Sequence, residues 1–167
     1  MTLAASIEAF YLTFAQIAFA LLGLWWIVLQ LKYSGGAGAR RRRRHAYGVT
    51  LFFLIPGVMA LLSAVDPEVG ELWRLAFGIS GGIGIAEAVL YLTSEGGRTR
   101  AGTLLRLAGL VIYVLIVVFA IYPSLAAELG GTLGAKEVEA ILLGLLLIVG
   151  VHVAWLSLTE SEETAGA

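Results

Sequence analysis

Glu87 is the residue best placed for chemistry in this sequence, because it lies inside an apolar run, about six residues or ~9 Å from the end of the stretch at Thr93. A carboxylate at that depth is costly in hydrocarbon. It marks either an ion or proton pathway or a hydrogen-bonded contact between helices. Ser80, Gly84, Glu87, Tyr91 and Ser94 recur at intervals of 4, 3, 4 and 3, which places small and polar groups on one stripe of a helix. Ile79, Ile83, Ala86, Val89 and Leu90 occupy its other faces. The pattern predicts one side for lipid and one for a cavity, where Ser80, Glu87 and Tyr91 would meet a cation or a proton.

His152 is the second candidate. It stands six residues before Leu158, at the same ~9 Å depth as Glu87 and on a segment running in the same direction. Were the two segments neighbours, within a subunit or across an interface, the pair would share a proton and titrate as a unit near neutral pH. A plainer reading has a neutral imidazole bonded to a backbone carbonyl or a serine. The other histidine, His45, falls in a basic stretch, and neither HxxxH nor ExxH spacing occurs, so no metal site is expected.

A second stripe runs through Thr13, Gln16, Ala20, Gly23, Ile27 and Gln30. Gln16 falls ~14 Å into its segment, where an amide must find a partner or water. The stripe reads as a pore-lining ring in an oligomer or as a seam between helices. Gly78, Gly82 and Gly84 crowd into seven residues. With no strand before them and no GK[ST] after, a phosphate loop is excluded, and close helix packing or an unwound ion-coordinating stretch is left. Gly23 would serve packing in the same way.

The elements that must position these residues are five apolar runs, near residues 7–31, 46–65, 72–93, 103–122 and 138–158. Each has about 20 residues or more, enough at ~1.5 Å per residue to cross a ~30 Å hydrocarbon core as a helix. Ser34-Gly35-Gly36-Ala37-Gly38, Asp66-Pro67-Glu68, Gly96-Gly97 and Gly130-Gly131-Thr132-Leu133-Gly134 punctuate the connections. All are short, so an all-α, five-helix transmembrane domain over 1–167 is expected. The first run lacks a basic flank and is too long for a signal peptide, and reads as a retained helix. Pro56-Gly57 would kink the second.

Composition agrees: 59% hydrophobic and 14% charged residues, with mean hydropathy +0.91, leave too little polar surface for a soluble globule. The absence of cysteine excludes disulfide scaffolds, thiolate metal sites and thiol catalysis. No catalytic pair and no haem or quinone ligand set is visible, so neither an enzyme nor a cofactor is expected.

Lys and Arg orient the chain. Lys32, Arg40 to Arg44, Arg98, Arg100 and Arg106 fall on one side, and Arg74 and Lys136 on the other, nine against two. The positive-inside rule then puts the N-terminus outside and the C-terminus in the cytoplasm, with the plasma membrane as the expected location. Asp66, Glu68, Glu71, Glu128, Glu137 and Glu139 would make the outer connections negative. Trp25, Trp26 and Trp155 read as one aromatic belt, Trp73 and Tyr122 as the other. Arg40, Arg41, Arg42, Arg43 and Arg44 would contact anionic headgroups rather than nucleic acid.

These readings converge on a small homo-oligomeric channel or transporter for a small inorganic ion, a cation or a proton, since five helices hardly enclose a wide pathway alone. The alternative is a non-catalytic membrane subunit or scaffold whose polar stripes are helix–helix interfaces.

Overall fold

The computed structural model describes residues 3–32, 39–65, 70–93, 99–128 and 133–163. These form α1 (Leu3–Lys32), α2 (Ala39–Val65), α3 (Gly70–Thr93), α4 (Arg100–Ile121), α5 (Leu125–Glu128) and α6 (Ala135–Glu163). Five of them, all but the single turn of α5, are long and apolar enough to cross a membrane. The molecule is an all-helical, membrane-embedded protein.

The apolar runs correspond to the cores of the long helices, each of which starts two to seven residues earlier than its run. Lipid thickness limits where apolar side chains must stop, and the backbone ladder continues past that level. The largest difference is at α2, which begins at Ala39. Arg40 to Arg44 are therefore its first turns and not a connection, in keeping with arginine's high helix propensity. Ser94, Arg98 and the turn residues Gly35, Gly36, Asp66, Pro67, Gly96, Gly97, Gly130 and Gly131 lie outside the described residues.

Helix α2 is the centre of the bundle. Of its span, 72% is buried, against 39% for α4, the next most covered. Val49, Phe52, Phe53, Ile55, Met59 and Ala60 all face inward, because a helix apolar all round can be covered all round. It packs on α1, α3 and α6, while α3 packs on α4 and α4 on α6. Phe52 fits a recess made by two glycines. A β-carbon on Gly109 of α4 would stand 2.9 Å from its ring, and one on Gly150 of α6 3.1 Å from its own β-carbon. Pro56 is buried within α2, and the helix continues through it to Val65. The kink anticipated from Pro56-Gly57 does not break the helix.

Successive long helices run in opposite directions. Tyr11 near the start of α1 donates to the Lys136 carbonyl at the start of α6, 2.8 Å. Trp25, late in α1, donates to the Ala46 carbonyl of α2, 3.2 Å. One end of the bundle, the N-terminal end, thus holds the starts of α1, α3 and α6. The opposite end, the arginine end, holds the starts of α2 and α4.

Two of the expected belt tryptophans belong to the interior. Trp25 is buried where its indole N–H finds the Ala46 carbonyl, and Trp73 is buried edge-on to Phe77, ring centres 5.9 Å apart. Trp26, Trp155 and Tyr122 are exposed to the surroundings. Hydropathy sets only the level of an indole along a helix, and the neighbouring helix decides which way it turns.

At the N-terminal end, Arg74 of α3 reaches the last carbonyls of α4. Its Nε donates to Ala120, 2.9 Å, and its Nη2 to Ile121, 3.1 Å. Those carbonyls have no partner within their own helix, and the positive charge meets the negative end of the α4 dipole. Arg74→Ala should lower stability by ~1 kcal/mol. Detergent unfolding followed by circular dichroism checks this, and a variant as stable as the parent would remove the capping role.

Candidate functional site

Helices α2, α3 and α4 meet near the arginine end around a small cavity lined by Arg106 and Glu87. Arg106 is on the second turn of α4, where Thr99 caps the first by accepting from the Gly102 N–H, 3.2 Å. The side chain of Arg106 is only 3% exposed. Its guanidinium carbon stands 3.4 Å from the centre of the Tyr91 ring on α3 and 5.9 Å from that of Phe52 on α2. The guanidinium is thus stacked on one aromatic face and near a second, an arrangement that offsets part of the cost of burying a cation.

Glu87 lines the same cavity as Arg106. A β-carbon placed on Gly48 would be 3.4 Å from Arg106 Nη1 and 3.6 Å from Glu87 Oε1. Glycine at that point of α2 leaves room for the Glu87 carboxylate from α3 and the Arg106 guanidinium from α4, both of which lie where a larger side chain would stand. The remaining lining comes from Leu51, Phe52, Ile55, Gly84, Ala88 and Tyr113, and the space for a water centre is about 10 Å³, room for one water molecule. A cation at Glu87 would share this small cavity with the Arg106 guanidinium. Moving one proton, or locking three helices together, needs no more room than exists.

The two faces of α3 differ in burial. Gly84 is buried and Ser80, Glu87 and Tyr91 are half-buried towards the bundle, whereas Ile79, Ile83, Ala86, Val89 and Leu90 are exposed. Of the glycines expected to pack, Gly84 meets Tyr113 directly. Gly23, Gly78 and Gly82 have open space where a β-carbon would go. Gly81 makes the second close crossing, 2.7 Å from Val117 of α4 to its would-be β-carbon. It lies three residues before Gly84, on the same face.

His152 and Glu87 are not brought together within this chain. The neighbours of Glu87 come from α2 and α4, while His152 is on the exposed side of α6, its Nδ1 bonding the Ile148 carbonyl one turn earlier, 2.8 Å. That bond places the proton on Nδ1 and turns Nε2 outward. The stripe of α1 also faces away from the bundle: Thr13, Gln16, Ala20, Gly23, Ile27 and Gln30 are all exposed.

Arg106 was counted from sequence among the cytoplasmic positive charges, and it is instead a buried member of this site. A sequence signal for that existed. Arg106 falls inside the apolar run 103–122, and a cation at that depth calls for an acid such as Glu87 on another helix.

The fold and site define a class: a membrane-embedded protein with five long apolar helices, in which a buried arginine and a half-buried glutamate share a cavity near one end of the bundle. No family model, curated protein or solved structure matches the chain.

Proposed function

We propose that this protein is the subunit of a homo-oligomer that passes a small inorganic ion, a cation or a proton, across the plasma membrane, with α1 helices lining the contact between copies. The observation that carries this reading is the α1 stripe: Gln16, near the middle of a membrane-crossing helix, is exposed on the single chain. An amide left facing lipid costs several kcal/mol by its unsatisfied groups (about 1–3 in protein terms), and a second copy or enclosed water removes that cost. Small residues Ala20 and Gly23 on the same line favour close approach of the partner helix. In this reading the N-terminus is outside, the C-terminus is cytoplasmic, and Arg40 to Arg44 lie at anionic headgroups.

The test is ion flux from liposomes of purified protein, together with subunit counting in detergent. Gln16→Leu should weaken association and lower flux at least several-fold, while Glu87→Gln should change its pH dependence. Wild-type flux at the empty-liposome level for cations and protons, with insertion confirmed, would sink the conducting role.

A second reading is a non-catalytic scaffold, in which the stripe is an interface and nothing more. It is favoured by the small size of the Glu87 cavity, which offers no path through one subunit. On that reading Gln16→Leu changes oligomer size with no flux in any variant.

A further inference from the structure

The N-terminal end of the bundle holds a second acid, at the opposite end from Glu87. Glu139 was expected in an outer connection, adding to a negative surface. It lies instead on the second turn of α6 with 0% of its surface exposed. Neither carboxylate oxygen has a hydrogen-bond partner, and the hydroxyl of Ser63, near the end of α2, shares that condition. Glu137, two residues earlier and on another face, is half-buried.

We propose that Glu139 is a proton-binding site at the N-terminal end, built where α1, α2 and α6 converge. The geometry supplies no donor to a carboxylate there. Tyr11 of α1 is the buried titratable group within electrostatic reach of Glu139, and its O–H is committed to the Lys136 carbonyl, 2.8 Å. Its other contacts are the rings of Phe10 and Phe77. Among the described residues, the remaining titratable groups at this end are Glu8 of α1, the exposed Glu71 and Arg74 of α3, Tyr122 of α4, Glu128 of α5, and Lys136 and Glu137 of α6 itself. Glu8, Tyr122 and Glu128 are exposed and Lys136 and Glu137 half-buried; the described part of α2 contributes Ser63 and no titratable group at this end.

An unpaired anion in that setting is costly by far more than a hydrogen bond. A metal cation would relieve it, yet such an ion needs several oxygens around it, and among the described residues no three acidic or histidine side chains gather. A proton needs one oxygen and no volume. Taken from water at the N-terminal face, it forms an O–H bond on the carboxylate and leaves a neutral acid compatible with the apolar packing. Its release requires α6 to admit water beside α1. The site therefore senses protons from one side of the bundle, and its loading does not depend on ion flux or on subunit number.

Infrared spectroscopy of the full chain in lipid tests this directly. Wild-type protein near neutral pH should show a protonated-carboxyl C=O band that Glu139→Gln abolishes and that Glu87→Gln and Glu137→Gln retain. Raising the pH should remove that band. Glu139→Gln, a neutral near-isostere, should unfold at the same detergent concentration as the parent. A band unchanged in Glu139→Gln, or no such band in the wild type, would overturn the proposal. Failure of Glu139→Gln to fold would overturn it as well, since it would mean that the anion is required. The Glu139→Asp variant reads the same site independently, through displacement of its acid band. None of these outcomes depends on conduction, so they stand apart from the flux experiment.

Discussion

Arg106→Leu should be the most damaging single substitution in the bundle, lowering stability by ~3 kcal/mol. Three losses combine. The guanidinium gives up its stacking on Tyr91, an interaction of ~1–2 kcal/mol when desolvated. Leucine is shorter and cannot fill the space between Phe52 and Tyr91. Glu87, which lines the same cavity and is half-buried, then loses the guanidinium from its surroundings, a smaller contribution than in a sealed site. The third loss is recoverable. In the Glu87→Gln background the same substitution should cost ~1 kcal/mol less, a coupling a double-mutant cycle measures. Detergent unfolding of the four proteins, read by circular dichroism, decides it. An Arg106→Leu cost identical in both backgrounds would show that the two charges do not interact.

Gly84→Ala should cost ~2 kcal/mol, and Gly82→Ala two residues away should cost nothing or stabilise by up to ~1 kcal/mol. Alanine is the better helix former at both positions, so propensity alone predicts the same sign for each. Sterics separate them. A β-carbon at Gly84 would overlap the ring of Tyr113, whereas at Gly82 it meets nothing within 4 Å. Tyr113 is buried, with its own neighbours behind it, and lies 6.3 Å from Phe52, centre to centre, so the ring cannot retreat without disturbing the recess around α2. The measurement is the same unfolding titration on both variants. Equal behaviour would mean that α3 and α4 do not cross at Gly84.

Together the two sites describe how this bundle is held. Aromatic rings from α2 and α4 enter gaps left by glycines on α3, α4 and α6, and the buried Arg106 guanidinium is stacked on Tyr91 of α3 near Phe52 of α2. Membrane helices gain little from hydrophobic collapse against one another, so close van der Waals fit and polar neutralisation carry the association. That is why small changes at Gly84 or Arg106 are expected to outweigh the loss of the exposed cap at Arg74.

The amino-acid sequence by itself determined the class and the elements. Apolar runs of about 20 residues leave a helix as the way to satisfy the backbone in lipid, and the two faces of α3 follow from its 3.6-residue period. Both are local properties, complete once the order of residues is known. Tertiary structure decided everything that depends on which helix stands opposite. It drew Arg106 from the count of surface cations into a cavity shared with Glu87, turned Trp25 and Trp73 inward, and buried Glu139 while leaving Glu137 two residues away half-buried. It also turned the Gln16 stripe outward and separated His152 from Glu87. Periodicity defines a face but not its partner. The partner is selected by steric fit between residues distant in the chain, such as Gly84 with Tyr113 or Gly48 with Arg106.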